Sequence, residues 1–181
     1  RLPYPDWCSA EAWHDQHSRL KSYLNAPAKL FGLQHATVLP IDQTRWQGRM
    51  LFMIVLIGLP GSGKSTAART LARRLVLDLA DSDQVIEQRL GCSIRSYFDS
   101  HGEQAFRDVE EAVIDELTQG SPRLVLATGG GAVLRPLNRQ RLRERGTVIY
   151  LSAAPEQLFK RLRHDTKRPL LQVGDALKKL R

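Results

Sequence analysis

Residues Gly58-Leu59-Pro60-Gly61-Ser62-Gly63-Lys64-Ser65-Thr66 satisfy the pattern of a phosphate-binding loop: Gly, four free positions, Gly, Lys, then Ser or Thr. This feature constrains the fold more than any other, because such a loop works only between a strand and the first turn of a helix. Its glycines let the backbone turn successive N–H groups inward on phosphate oxygens. The helix that follows adds unpaired amides and the positive end of its dipole. The flanks agree. Residues 51–57 form an unbroken apolar run, as expected of a strand buried on both faces, and Ala67, Ala68, Leu71, Ala72 and Leu75 recur at helical spacing after the loop. A glycine-rich turn without a ligand is the plainer alternative, and these flanks count against it. The expectation is a nucleoside triphosphate site made by Gly61, Ser62, Gly63, Lys64, Ser65 and Thr66. Lys64 would reach the β- and γ-phosphates, and the Ser65 hydroxyl would ligate Mg²⁺.

The length, 181 residues, suits one main domain with a sizeable core. No apolar stretch approaches the roughly 20 residues needed to cross a bilayer, and no signal-peptide pattern is present. Cys8 and Cys92 stand in different segments with no CxxC or Cys/His cluster, so neither a disulfide framework nor a zinc site is expected, and a reducing, cytosolic setting follows. The net charge of +8 is localised. Residues 135–181 carry nine Arg and four Lys against four acids, a net of +9, which leaves −1 for the rest. Such asymmetry fits a nucleic-acid surface, or arginines converging on a triphosphate and an anionic substrate. No helix-turn-helix, zinc-finger or aromatic RNA-binding pattern accompanies it, so nucleic acid is not expected as the principal partner, and several of Arg139, Arg141, Arg143 and Arg145 read as a solvated helix face.

Residues 1–49 hold all three Trp, four Pro and no chemical motif; they read as an extension of unknown role, partly disordered, or as sequence upstream of a start at Met50. From residue 50 onward the elements alternate. Strands are expected at 51–57, 77–80, 124–128 and 148–151, and helices at 64–76, 84–90, 93–100, 103–118, 136–144 and 155–163. Alternation implies an α/β fold, a parallel sheet with helices on both faces. Ligands of such sheets bind at the carboxyl ends of the strands, where the loop, Asp81-Ser82-Asp83 and Gly129-Gly130-Gly131 all fall.

These last segments point to a second substrate. Two carboxylates two residues apart, Asp81 and Asp83, can divide the work of standing near a metal and facing an acceptor hydroxyl; a helix-capping pair is the simpler reading. Arg107 has Glu110 one helical turn on, which can hold its guanidinium for a substrate carboxylate; a surface ion pair is the alternative. Three glycines at a strand end remove every side chain from one wall, so that a ligand touches backbone. Arg168 follows a basic run and could swing over the phosphates on a lid at about 162–174.

Together GLPGSGKST at 58–66, DSDQVIEQRLG at 81–91, GEQAFRDVE at 102–110, TGGGAVL at 128–134 and RPLL at 168–171 resemble the shikimate kinase family. The resemblance runs from about residue 51 to 181, and the order and spacing of the five stretches are more specific than any one of them. It implies a P-loop NTPase-type three-layer fold in a cytoplasmic, monomeric enzyme. That enzyme would move the γ-phosphoryl group of ATP to the 3-hydroxyl of shikimate, a step towards chorismate and the aromatic amino acids. It also implies roles. Asp83 would be the base and contact the ring hydroxyls, and Arg107 with Gly129, Gly130 and Gly131 would hold shikimate. Asp81 would reach Mg²⁺ beside Ser65; Arg161 would stack on adenine, and Arg168 would lie on ATP as the lid arginine, joining Lys64 and Asp83 as catalytic. Phe98 and Phe106 match aromatics lining the shikimate pocket, although both would serve equally as core.

One departure matters. The family carries a further carboxylate-binding arginine on the helix after RPLL, then a last strand and helix, whereas here residues 175–181 supply only the first turns of that helix. The last strand and helix are therefore expected to be absent. An open sheet edge and nucleotide binding stronger than shikimate turnover are expected with them. Alternatives are gluconate kinase, which shares the loop but not DSD, FR, GGG and RPLL, and a nucleotide-binding regulatory module without turnover. Adenylate kinase is disfavoured by Lys64-Ser65 where Lys-Gly is typical.

Overall fold

The computed structural model describes residues 35–38, 53–121 and 123–162. Its centre is β2 (Ile54–Ile57), whose two faces both meet apolar partners: Ile54 and Leu56 enter one buried cluster, and Met53 and Val55 another. β4 (Leu124–Ala127) divides in the same way, Val125 and Ala127 to the first cluster and Leu124 and Leu126 to the second. The alternation is the period-two geometry of a strand, and burial on both sides explains why these segments read as continuous apolar runs.

Helices cover both faces. On one side lies α1 (Lys64–Leu75), which buries Ala67, Ala68, Leu71 and Ala72, three of them small enough for a close approach to the sheet. It is joined there by α5 (Pro155–Leu162) through Leu158 and Leu162. On the other side are α3 (Ile94–Gln119) and α4 (Pro136–Arg145), through Ile114 and Leu142. α2 (Ser82–Leu90) packs against α3 in a third cluster around Ile86, Phe106 and Val113. Within α3 the backbone is non-helical at Gly102 (φ 80°, ψ 174°), so the expected pair of helices at 93–100 and 103–118 is one kinked element.

The sheet order is β1-β5-β2-β4-β3, with β3 (Asp78–Asp81) at one edge and β5 (Thr147–Ser152) beside β2. Strands β2, β3, β4 and β5 are parallel, as expected from the alternation. β4 and β3 lie to one side of β2 and β5 to the other, which opens a crevice at the carboxyl end of β2.

One expectation needs correction at the β5 edge. The four strands are parallel as expected, but that edge is not open: β1 (His35–Val38) pairs antiparallel with β5, His35 opposite Ser152 and Val38 opposite Ile149. A four-residue strand without clear alternation carries too little pattern to be read locally, and only the unpaired backbone of β5 gives it a place. Among the described residues no helix is long and apolar enough to cross a membrane.

Candidate functional site

The phosphate half starts from how α1 begins. Its N-cap is Gly63 in the left-handed region (φ 86°, ψ 17°), and no side chain caps its first turn. The neighbouring helices differ. Asp81 accepts a hydrogen bond from the Asp83 amide (3.1 Å) at the start of α2, and Ser93 accepts one from the Ser96 amide (3.2 Å) at the start of α3. The helix facing the crevice thus keeps its positive end for an anion. Lys64 is buried, and its Nζ donates to the carbonyls of Gly58 (2.8 Å) and Leu59 (3.0 Å). A triphosphate entering the loop offers this ammonium stronger, charge-assisted acceptors. Ser62 is fully buried, whereas the Thr66 side chain is exposed.

The Ser65 hydroxyl donates to Oδ2 of Asp81 at 2.6 Å, joining the first turn of α1 to the end of β3. Two hard oxygen donors at one spot suit Mg²⁺, which keeps most of its ligands as water and substrate phosphate. Among the described residues no group of three or more His, Cys, Asp or Glu is gathered. Arg161 Nη1 donates to the Gly61 carbonyl (3.2 Å), which sets the end of α5 against the loop.

Beyond the carboxyl end of β4 the three glycines face three different neighbours. A Cβ on Gly129 would stand 2.6 Å from Asp83 Oδ1 and 2.9 Å from Glu110 Oε1; one on Gly130, 2.8 Å from the Pro60 ring; one on Gly131, 2.5 Å from Arg107 Nη1 and Nη2. A side chain larger than hydrogen at any of them would have to displace one of these neighbours. Because Gly129 and Gly131 are at most about 7.6 Å apart along the chain, Asp83, the loop and Arg107 all meet one short turn. Ser82, fully buried, accepts a hydrogen bond from the Gly129 amide (2.9 Å) and ties the DSD turn to the glycines.

Arg107 is buried, so its charge needs partners. Nη1 donates to Glu110 Oε2 (2.6 Å), Nη2 to Glu103 Oε1 (3.1 Å), and the guanidinium lies 5.2 Å from the Phe106 ring centroid. Burial pushes the Glu110 carboxyl above its ordinary range, and the Arg107 charge and hydrogen bond pull against that rise. The i,i+3 pair with Glu110 was legible in the sequence; its burial and the Glu103 contact were not. Phe98 and Phe106 pack with ring centroids 4.6 Å apart and planes tilted by 39° within the α2–α3 cluster, in the core role considered for them.

The basic helix α4 divides its charge: Arg139 and Arg143 stay exposed, while Arg135, Arg141 and Arg145 turn onto α3. Arg135, its N-cap, donates to Glu111 (3.1 Å) and Asp108 (2.5 Å) of α3; Arg141 pairs with Asp115 (3.1 Å), and Arg145 donates to Asp115 (2.6 Å) and Thr118 (2.8 Å). Hydrogen bonding from Arg145, helped by Gln119 and Arg141, holds the Asp115 carboxyl below its usual range. Hydrogen bonds to Asp108 and Glu111 raise the Arg135 guanidinium above its own. The ladder staples α4 to the helix that carries Arg107. Arg168 and residues 163–174 of the expected lid lie outside the described residues.

A shikimate kinase family model matches residues 60–181. The shikimate kinase of Paracidovorax citrulli is 67% identical over 129 residues, 71% of this chain and 70% of that protein. The one from Legionella pneumophila is 56% identical over 122 residues, 67% of this chain and 69% of that protein. Among solved structures, shikimate kinase from Acinetobacter baumannii in complex with shikimate superposes with a TM-score of 0.70 at 44% identity, covering 72% of this chain and 73% of its own. The Aquifex aeolicus shikimate kinase gives 0.62 at 33% identity, covering 71% and 76%.

Proposed function

This chain belongs to the shikimate kinase family, and from that premise we propose that it transfers the γ-phosphoryl group of ATP to the 3-hydroxyl of shikimate, giving shikimate 3-phosphate and ADP. The observation that carries the reading is the triple glycine, which borders Asp83, the phosphate loop and Arg107 in three consecutive residues. A phosphoryl donor and a small acidic acceptor can therefore meet in one crevice.

In this reading the loop amides and Lys64 cradle the β- and γ-phosphates. Arg107, already fixed by Glu110 and Glu103, takes the shikimate carboxylate through two parallel hydrogen bonds. The backbone at 129–131 supports the ring. Asp83 accepts the hydroxyl proton as that oxygen bonds to the γ-phosphorus, and the bond from the γ-phosphorus to the β–γ bridging oxygen breaks to release ADP. Ser65 and Asp81 would hold Mg²⁺, which when bound neutralises charge on the phosphates. Arg161 beside the loop is assigned to adenine and Arg168 to the phosphates, on a lid at 162–174. Residues 50–181 are taken as the kinase domain and 1–49 as an extension, from which the strand at 35–38 joins the domain's sheet. The exposed free thiol of Cys92 accords with a reducing, cytoplasmic setting, and the chain is proposed to act as a monomer.

ADP release measured with shikimate, gluconate, AMP or no acceptor tests the assignment. Release dependent on shikimate alone is the expected outcome. Equal rates with gluconate, or release indifferent to any acceptor, would overturn it.

A further inference from the structure

The Gly129-Gly130-Gly131 turn has no side chains with which to hold itself in place, yet the proposed acceptor site needs it fixed. Its inward contacts are few. The Gly129 amide donates to Ser82, while the Gly129 and Gly131 carbonyls accept from the amides of Ala132 (3.3 Å) and Leu134 (2.9 Å) in a single 3-10 turn, Ala132–Leu134. Among the described residues no hydrogen-bond acceptor meets the amides of Gly130 and Gly131, which leaves two adjacent donors on the wall that faces Pro60 and Arg107.

What anchors the turn from behind is the first part of α4. Asn138 is fully buried, and its Nδ2 donates to the Ala132 carbonyl at 2.9 Å. Arg139, next in sequence, donates through Nη1 to the carbonyls of Val133 (2.7 Å) and Leu134 (3.0 Å). Every carbonyl of the 3-10 turn is thereby taken by two consecutive side chains. The amide orientation of Asn138 follows from chemistry, since the reverse would set two acceptors face to face. The same helix is tied to the Arg107 helix by Arg135, Arg141 and Arg145. The glycine wall and Arg107 are thus referenced to one rigid element.

We propose that Asn138 and Arg139 form a carbonyl clasp that sets the position of the glycine wall, and that they act as positioning residues for the acceptor while leaving the nucleotide half untouched. The inference rests on the reading of 129–131 as acceptor-binding. A group held loosely by about 1 Å loses much of its effect on binding and orientation, so the clasp matters although neither side chain touches substrate.

The test uses the full chain and compares wild type with Asn138→Leu, Asn138→Ala and Arg139→Ala. Initial rates are taken with shikimate varied at saturating ATP and with ATP varied at saturating shikimate, alongside thermal unfolding. The clasp predicts a rise of about tenfold or more in KM for shikimate in the Asn138 variants and about threefold in Arg139→Ala, with KM for ATP within twofold of wild type. A merely structural role would lower the melting temperature and leave both KM values alone, or would shift the two together; either result overturns the proposal. Should both Asn138 variants fail to fold, the exposed Arg139 decides: a selective rise supports the clasp and an unchanged KM for shikimate sinks it. A wild-type chain that neither binds nor phosphorylates shikimate removes the functional reading itself, and the clasp with it. An active wild type with indifferent variants removes the clasp alone.

Discussion

The proposed phosphate half of the site is drawn mostly from one continuous stretch, residues 58–66, and offers backbone amides, an uncapped helix start and one lysine. The proposed acceptor half gathers Asp83, Arg107 with Glu110, and 129–131 from three segments on three elements, and it buries charge to do so. A triphosphate carries so much charge that generic N–H groups bind it. A small hydroxylated acid has to be recognised by shape and by one carboxylate, and that needs side chains fixed from several directions. The first half tolerates imprecision in the surrounding fold better than the second, and three experiments probe that difference.

The largest effect is expected at Lys64, where Lys64→Met removes the ammonium that the loop carbonyls hold at 2.8 and 3.0 Å. Turnover should fall by about 10²–10³-fold or more, the range for losing one preorganised charge-stabilising donor. Unfolding should stay near wild type, because a long apolar side chain still fills the buried space. A drop in turnover matched by unfolding would instead make Lys64 a structural residue.

Gly131→Ala should act on the acceptor half alone. Its Cβ would stand 2.5 Å from both terminal nitrogens of Arg107, so the guanidinium must move off its Glu110 partner. The expected result is a loss of about 10²-fold in kcat/KM for shikimate, the scale of a 1 Å misplacement, with nucleotide affinity retained. Equal losses for both substrates would erase the contrast between the halves.

The smallest effect is read from stability against pH. Burial raises the Glu110 carboxyl above the ordinary 4.5. The folded state therefore holds this proton more tightly than the unfolded chain, and the corresponding stability is complete below 4.5 and lost as pH rises through the raised folded value. Asp115 has the opposite sign. Its carboxyl is lowered from 3.8, chiefly by Arg145, so its contribution is present above 3.8 and lost as pH falls through the lowered folded value. Urea unfolding from pH 3 to 8 should show Glu110→Gln flattening the decline above 4.5 and leaving the acid limb unchanged. Persistence of the full decline in that variant would place its origin elsewhere.

Much of this molecule can be read from local pattern. The strand before the loop, the α1 periodicity and the basic helix near 136–144 occur where short-range rules put them, with boundaries shifted by a few residues. The Arg107–Glu110 pair was likewise legible, because two side chains three apart on a helix are neighbours wherever that helix goes. His35–Val38 was not, since its only reason to be a strand is the edge of β5 more than a hundred residues later. Nor were the partners of Arg135, Arg141 and Arg145, whose charge alone left a solvated face, a phosphate clamp and a nucleic-acid surface all open. Asn138 carried no signal at all, because a buried asparagine cannot be told from an exposed one until its helix is docked.

The sequence by itself determined the anion-binding loop, the α/β alternation and the chemical types available at each strand end, because these depend on backbone freedom and periodicities spanning a few residues. Only the tertiary structure decided that Asp83, Pro60 and Arg107 meet one glycine turn, that Arg141 and Arg145 of α4 are spent on α3, and that a strand from residues 35–38 pairs with β5. Those outcomes rest on contacts between segments far apart in the chain, where burial sets the strength of a charge and the shape of a wall, and neither quantity exists before the chain has packed.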